Sequence, residues 1–260
     1  MKYFLLEVVM ISCFASFESL PRSNSKDATG TEHSSFVSLV KIHPRFHNTI
    51  QVLCSGVLIS GKHVLTFAKC YPKAPLEDMM IYGGASDLTK CKAFEIKTWQ
   101  NYSDWLSNKN NEVAPQIFDV AIITLSRSAE FADGMRPAIL SFRTNKEAEG
   151  LKAKFFGWEG PRTLESSTLK LKYNNKLEIL DDSTCQKLYA RSRFHLKYAN
   201  ILCSSPALPL DSFDEGAPLF FENEMLLAVS WKTTYSKMGD NVNFHLNINF
   251  YSDFIKSVTA

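Results

Sequence analysis

The sequence predicts an all-β protein of the sandwich or barrel class, and three observations lead there. Apolar residues come in short runs of strand length broken by turn residues. Sustained helical periods are sparse. At 260 residues, 45% of them hydrophobic, with 11 Gly and 10 Pro, the chain can bury a large core as one domain of many short strands. No internal repeat is visible at the level of residue identity.

From the N-terminus, Met1-Lys-Tyr-Phe-Leu-Leu-Glu-Val-Val-Met-Ile-Ser-Cys-Phe-Ala-Ser16 is a basic start followed by an apolar run ending in small residues, interrupted by Glu7. That is the layout of a secretory signal peptide, assigned to residues 1–19 with cleavage after Ala15 or Ser19. The run falls short of the roughly 20 apolar residues of a spanning helix, which argues against a membrane anchor. Residues 20–35 form a polar, Ser-rich lead-in expected to be flexible, and 36–260 form the globular domain.

Within that domain, strands are expected at Phe36–Ile42, Gln51–Ile59, Val64–Ala68, Met79–Tyr82, Val120–Leu125, Lys154–Phe156, Leu169–Leu171, Met225–Trp231 and Phe244–Ile248. Two helices are expected. Asp182-Ser183 can cap one running through Cys185, Leu188 and Tyr189, and Asn249 can cap a terminal one with Phe250, Phe254 and Ile255 on one face.

The balance of 29 basic and 27 acidic residues, formally +2, points to neither a nucleic-acid nor a membrane-surface partner. Once Cys13 leaves with the signal, Cys54, Cys70, Cys91, Cys185 and Cys203 remain, an odd number in a secreted chain. The histidines His33, His43, His47, His63, His195 and His245 stand in no context suited to a general base and are expected to be structural. His43-Pro-Arg-Phe-His47 has a metal-like spacing, but Pro44 opposes the helix that would converge the two rings, and zinc needs at least three protein ligands. Neither a metal nor a cofactor is expected. Asn101-Tyr-Ser103 is an N-glycosylation sequon on an expected surface loop.

Five stretches in order carry a resemblance. Cys54-Ser-Gly-Val-Leu-Ile-Ser-Gly-Lys-His-Val-Leu-Thr-Phe-Ala-Lys-Cys70 is similar to Cys-Gly-Gly-Ser-Leu-Ile … Trp-Val-Leu-Thr-Ala-Ala-His-Cys of chymotrypsin/trypsin-like serine proteases. Phe118-Asp-Val-Ala-Ile-Ile-Thr-Leu125 resembles their Asn-Asp-Ile-Ala-Leu-Leu-Lys-Leu, Phe156-Gly-Trp-Glu-Gly160 their Thr-Gly-Trp-Gly, and Leu227-Ala-Val-Ser-Trp231 their Gly-Ile-Val-Ser-Trp. Asp211-Ser-Phe-Asp-Glu-Gly-Ala-Pro-Leu-Phe220 resembles the nucleophile segment Gly-Asp-Ser-Gly-Gly-Pro-Leu. Together they span roughly Phe36 to Val258. The implied fold is a trypsin-like pair of six-stranded antiparallel barrels with a cleft between them, a short mid-chain helix and a C-terminal helix. The implied bridges are Cys54–Cys70 and Cys185–Cys203. Cys91 has no counterpart in the pattern, which leaves it as a buried small hydrophobe or as the link of a disulfide-bonded dimer.

Carried over position by position, the resemblance leaves a degenerate triad. Asp119 keeps the place of the orienting acid, Lys69 takes that of the base histidine and Glu215 that of the nucleophilic serine. A lysine beside carboxylates stays protonated at neutral pH and is no base, while a carboxylate nucleophile in an acyl-transfer site gives at best an unstable mixed anhydride. Phe213 falls on the glycine of the oxyanion loop and Pro209 on the base of the specificity pocket. The family's activation terminus, Ile-Val-Gly-Gly, is matched by Arg22-Ser-Asn-Ser-Lys-Asp-Ala28, so the aspartate next to the nucleophile position, Asp214, lacks its usual ammonium partner. The one cation and two carboxylates at 69, 119 and 215 are expected to form an ion-pair cluster.

The resemblance therefore implies a catalytically degenerate serine protease homologue of the arthropod type. Such a protein would be secreted and would bind another extracellular protein as cofactor, decoy or regulator of proteolysis or immunity. Two other functions stay open: an active S1-type endopeptidase using an unusual nucleophile, such as a dyad of Ser212 or Ser230 with a lysine, and a carrier of a small apolar ligand in the former cleft.

Overall fold

The computed structural model describes residues 26–28, 34–42, 50–71, 75–109, 120–129, 134–159, 169–191, 201–208, 210, 214–222, 225–234 and 242–260. The chain enters through a two-residue strand, β1 (Lys26–Asp27). Six strands follow: β2 (Phe36–Ile42), β3 (Ile50–Leu58), β4 (His63–Phe67), β5 (Met79–Gly83), β6 (Lys92–Asn101) and β7 (Val120–Leu125). They pair antiparallel in the order β2-β3-β4-β7-β6-β5 and close on themselves. Closure removes every free sheet edge, which is how short strands rich in Val, Ile and Leu avoid pairing with other chains.

After the short strand β8 (Ile139–Leu140) come β9 (Lys152–Glu159), β10 (Lys170–Ile179), β11 (Ile201–Ser205), β12 (Pro218–Phe221), β13 (Met225–Thr234) and β14 (Val242–Asn247). The path β10-β11-β14-β13-β12-β9 is closed by the pairing of β9 with β10, giving a second six-stranded barrel. To it β1 adds beside β10, and β8 runs parallel to β13.

The barrels meet through side chains that the sequence spaces far apart. Trp158 on β9 packs edge-on against Phe36 on β2 at 5.6 Å and donates its indole N–H to Ser38 Oγ at 2.5 Å. Both groups are buried, so the hydrogen bond removes the penalty of sinking a polar indole nitrogen and a hydroxyl into the core. Disulfides join Cys54 to Cys70 and Cys185 to Cys203 over separations of 16 and 18 residues. In the chain-entropy account each is worth about 3 kcal/mol.

Among the described residues four helices complete the fold: α1 (Tyr102–Asn108), α2 (Asn145–Ala148), α3 (Asp182–Arg191) and α4 (Ser252–Thr259), the last entered through a 3-10 turn at Ile248–Tyr251. Their caps correct the sequence reading by one or two residues. The α3 start is held by Asp181, whose Oδ1 accepts from the Thr184 N–H and the Ser183 hydroxyl. These bonds pull the exposed Asp181 carboxyl down to about 2. At the C-terminus Asn247 caps the 3-10 turn, accepting from the Asn249 N–H at 3.0 Å, Asn249 lies inside that turn, and α4 starts after Tyr251 without a side-chain cap.

Two further differences have physical reasons. The lead-in is not polar slack throughout: Lys26 and Asp27 pair with Tyr173 and Lys172, Ala28 is buried, and the Lys172 ammonium sits 2.6 Å from Asp27. Strand β6 escapes an apolar-run search because Phe94 is its one fully buried side chain and the rest face outward or lie half-covered. Among the described residues no helix is long and apolar enough to cross a membrane.

Candidate functional site

Strand β4 ends at Phe67, and a 3-10 turn, Ala68–Cys70, follows, pinned by the Cys70 bridge to β3. The turn buries Ala68 and Cys70 and leaves Lys69 pointing outward, its side chain 73% exposed. Opposite it stands Glu215, in the loop before β12, with its side chain only 21% exposed. Lys69 Nζ lies 3.7 Å from Glu215 Oε1. The chain thus brings together residues 146 positions apart in number.

The backbone under Glu215 is clamped from both barrels. Its carbonyl accepts from the Ser55 N–H at 3.0 Å, a contact to β3 of the first barrel. The next residue, Gly216, donates to the Ser230 carbonyl at 2.8 Å, Ser230 donates back to Ala217 at 2.7 Å, and Ala217 closes a turn on the Asp214 carbonyl at 2.9 Å. Gly216 has φ +84°, and a Cβ there would stand 2.3 Å from the Ser55 carbonyl oxygen and 2.6 Å from Thr66 Oγ1. That oxygen is also held by the Thr66 hydroxyl at 2.7 Å. Only glycine fits this close approach in the left-handed region.

Burial and charge oppose each other at Glu215. Desolvation raises its carboxyl above the ordinary range, and the attractions of Lys69 and Lys232 offset that only in part. Glu215 therefore carries its charge reluctantly beside an ammonium that water largely screens. Its carboxylate also lies within 4.8 Å of the sulfurs of Cys54 and Cys70, the one grouping of three metal-capable side chains among the described residues. With the two sulfurs bonded to each other, neither is a thiolate, and the set is no metal centre.

Asp119, Phe213, Pro209 and Ser212 lie outside the described residues, as do residues 1–25 and His33, His43, His47 and His195. Of the expected three-charge cluster, the described part is the Lys69–Glu215 pair. Asp214 has its side chain fully buried.

One constellation was not legible in the sequence. His245 on β14 is fully buried between two serines: Ser204 Oγ is 2.7 Å from its Nε2 and Ser230 Oγ 3.1 Å from its Nδ1. A neutral imidazole offers one N–H and one lone pair, and two hydroxyls can match both. Burial lowers its pKa to about 3, so the ring is neutral across the physiological range. The Ser230 hydroxyl, a candidate partner for a lysine, is committed to this ring. A Ser–His contact with all three side chains at zero exposure admits no substrate, so it is a packed polar network and not a catalytic pair.

The remaining candidates are placed as follows. Cys91 is free and half-buried, its thiol directed at the Ala85 and Asp87 carbonyls at 3.3 and 3.6 Å, and burial pushes it up to about 11. Such a thiol is a poor nucleophile. His63 opens β4, with Nδ1 2.7 Å from Ser60 Oγ. Asn101 sits at the end of β6, accepting from Trp99 Nε1 at 2.7 Å and donating to Asp104 at 3.1 Å.

Comparison with known proteins agrees with this geometry. A family model described as Trypsin matches residues 27–255. The chain is 22% identical over 215 residues to snake venom serine protease rhinocerase 4 of Bitis rhinoceros, covering 82% of this chain and 80% of that protein. It is 28% identical over 183 residues to phenoloxidase-activating factor 3 of Holotrichia diomphalia, covering 64% and 51% respectively. Vaa serine proteinase homolog 1 of Vipera ammodytes ammodytes is 25% identical over 211 residues, covering 80% and 77%. Among solved structures, neuropsin, a serine protease expressed in the limbic system of mouse brain, superposes with TM-score 0.69 at 18% identity, over 91% of this chain and 99% of that one. With two closed barrels, a loop clamped between them and a family match over nearly its whole length, the chain belongs to the trypsin family of serine proteases.

Proposed function

We propose that this chain is a secreted member of the trypsin family that has lost peptidase activity and acts by binding another extracellular protein. The observation that carries the reading is the Lys69–Glu215 pair at 3.7 Å. The family motifs put the base and the nucleophile at those two positions, and here an ammonium and a carboxylate answer each other. Neither can perform the other half of the reaction: a protonated lysine accepts no proton, and Glu215 has no hydroxyl to attack a carbonyl.

Several features support the reading further. Ser230 spends its hydroxyl on a buried histidine, which removes one of the two serines open to a substitute dyad. A similar venom protein bears the name serine proteinase homolog, and other similar proteins are named as snake venom serine proteases, in keeping with an extracellular setting. The partner fits best as a protein engaged by the barrel surface, in the role of cofactor, decoy or regulator of extracellular proteolysis.

Incubation of the purified protein with a fluorophosphonate probe and with a denatured protein substrate tests the proposal. We expect neither label nor cleavage. Stoichiometric labelling of any serine would establish an active endopeptidase and overturn it. Affinity capture from the native secretion should return a defined protein partner; recovery of a small apolar molecule alone would favour the carrier function instead.

A further inference from the structure

Strand β6 ends and α1 begins at Asn101, the first residue of Asn101-Tyr-Ser103, which is the only N-glycosylation triplet in the sequence. Asparagine is among the best helix N-caps, because its Oδ1 can accept from a free N–H of the first turn. Here Asn101 occupies the N-cap position and its side chain does not cap. Its Oδ1 accepts instead from Trp99 Nε1 at 2.7 Å, and its Nδ2 donates to Asp104 Oδ2 at 3.1 Å. The amide is thus turned toward β6 and set beside the indole.

Residues two apart on a regular strand share a face, and Trp99 and Asn101 pair in regular register with Ile123 and Ala121 of β7. The same surface carries a second ring. Tyr71 lies 5.1 Å from Trp99 with the planes tilted by 58°, and it is 50% exposed, one of three large hydrophobic side chains exposed among the described residues. An aromatic pair is therefore laid out next to the acceptor amide, with the outer ring uncovered. We propose that Asn101 carries an N-linked glycan whose first N-acetylglucosamine packs on the Trp99–Tyr71 shelf.

The inference rests on the secretory reading above, since the transferase and its sugar donor belong to the secretory pathway. In the transfer, Asn101 Nδ2 attacks C1 of a lipid-linked oligosaccharide. A C1–N bond forms, the C1–O bond to the lipid diphosphate breaks, the diphosphate leaves, and one Nδ2 proton passes to a base of the transferase. The product keeps the amide oxygen and one N–H. Those are the groups that the Trp99 and Asp104 contacts use, so the glycosylated side chain retains an acceptor for the indole and a donor for the carboxylate.

The shelf suits the sugar that the linkage delivers. A pyranose presents an apolar face of C–H groups, and an aromatic ring is a flat surface that can bury it. Because the sugar is tethered through the neighbouring amide, its local concentration at the rings is high and even a weak contact is occupied. Packing there also takes apolar area of the exposed Tyr71 out of water.

The test starts from the full chain expressed with its own N-terminus in cultured animal cells. Glycopeptide mass spectrometry of the secreted protein should find Asn101 glycosylated in wild type and bare in Ser103→Ala, which breaks the triplet and leaves the amide in place. The shelf is read by urea denaturation of each sequence in two forms: the secreted glycoprotein trimmed enzymatically to its first N-acetylglucosamine, and the unglycosylated chain made in the bacterial periplasm. The sugar should raise the folding equilibrium constant of wild type about 3- to 10-fold, the range of one aromatic contact, and that of Trp99→Leu and Tyr71→Ala by under about 2-fold. Tyr71 is exposed, so Tyr71→Ala should fold even where Trp99→Leu does not. A secreted chain with Asn101 bare would overturn the proposal and leave the extracellular reading standing. A sugar that adds nothing to wild type, or stabilises wild type and both variants alike, would overturn the shelf. Retention of the chain in the cytosol would instead refute secretion, and this inference with it.

Discussion

The Lys69–Glu215 pair and the Ser204–His245–Ser230 network sit on either side of the same short stretch of chain, since Ser230 both grips the Gly216 backbone and binds the His245 ring. One is charged with its lysine in water and its glutamate largely covered, the other neutral and dry. Coulomb attraction across a pair whose lysine is 73% exposed is largely screened, so removing it costs little. In the dry network every polar atom depends on its neighbours, because water cannot replace a lost partner. The part of the site that catches the eye by its charge is therefore the weaker part energetically, and the loop owes its shape to backbone contacts and a buried imidazole.

The largest effect should come from the clamp that joins the two regions. Gly216→Ala puts a methyl group 2.3 Å from the Ser55 carbonyl in a left-handed conformation, and we expect a loss of roughly 3–5 kcal/mol by chemical denaturation. A loss under about 1 kcal/mol would mean that the two barrels do not hold this loop as tightly as the contacts imply.

Next comes the network itself. His245→Leu strands two buried serine hydroxyls and should cost about 2–4 kcal/mol. The wild type should also show an acid limb that this variant lacks. The folded-state pKa of His245 lies near 3 against an ordinary 6.5, so between those values the unfolded chain binds a proton that the native protein refuses. Stability is complete above pH 6.5 and falls with each unit toward 3 at up to about 1.4 kcal/mol per unit. Urea titrations at pH 7 and pH 5 on both proteins check this; identical pH dependence would mean that His245 does not carry the effect.

Smaller still is the charged pair. Lys69→Ala should change stability by under about 1 kcal/mol and raise the Glu215 carboxyl further, since an attraction that lowers it is gone. Glu215 already has a raised pKa, so its ionised form is disfavoured in the fold. Its contribution is present at low pH and lost as pH rises through the folded value. Glu215→Gln should accordingly be neutral or slightly stabilising at pH 7, and a clear destabilisation would show that the pair matters more than its exposure suggests.

What was legible in the sequence follows the same division. Strands with dense apolar runs, such as Phe36–Ile42 and Val120–Leu125, match the structure to the residue, because burial on both faces leaves an unbroken signal. Strand β6, with one buried side chain, and β12, read as part of a motif, gave no such signal. Residues 69 and 215 were legible as candidate positions because motifs flank them. His245 was not, since its two partners, Ser204 and Ser230, lie 41 and 15 residues away and meet it only through the β11–β14 and β13–β14 ladders. Cap positions were off by one or two residues because Asp181 and Asp182, or Asn247 and Asn249, offer the same chemistry to adjacent turns.

The smallest expected effect is a restored activity of zero. Lys69→His with Glu215→Ser rebuilds, with Asp119, the formal triad implied by the family motifs. The backbone after position 215 is set by Ser55, Ser230 and the Gly216 close approach, so the introduced serine would sit on a fixed support. Oxyanion stabilisation and binding alone supply roughly 10³ to 10⁴-fold over water in intact members of the family. The resemblance implies that Phe213 takes the glycine position of the oxyanion loop; on that reading one donor is compromised, and loss of one such donor costs about 10² to 10³ in rate. The sequence also contains no Ile-Val-Gly-Gly segment, the activation terminus of the family motifs. The double variant should therefore neither cleave a denatured substrate nor take up a fluorophosphonate. Rapid stoichiometric labelling of the new serine would show that the clamp preserves a working oxyanion site and that two side chains alone separate this scaffold from catalysis.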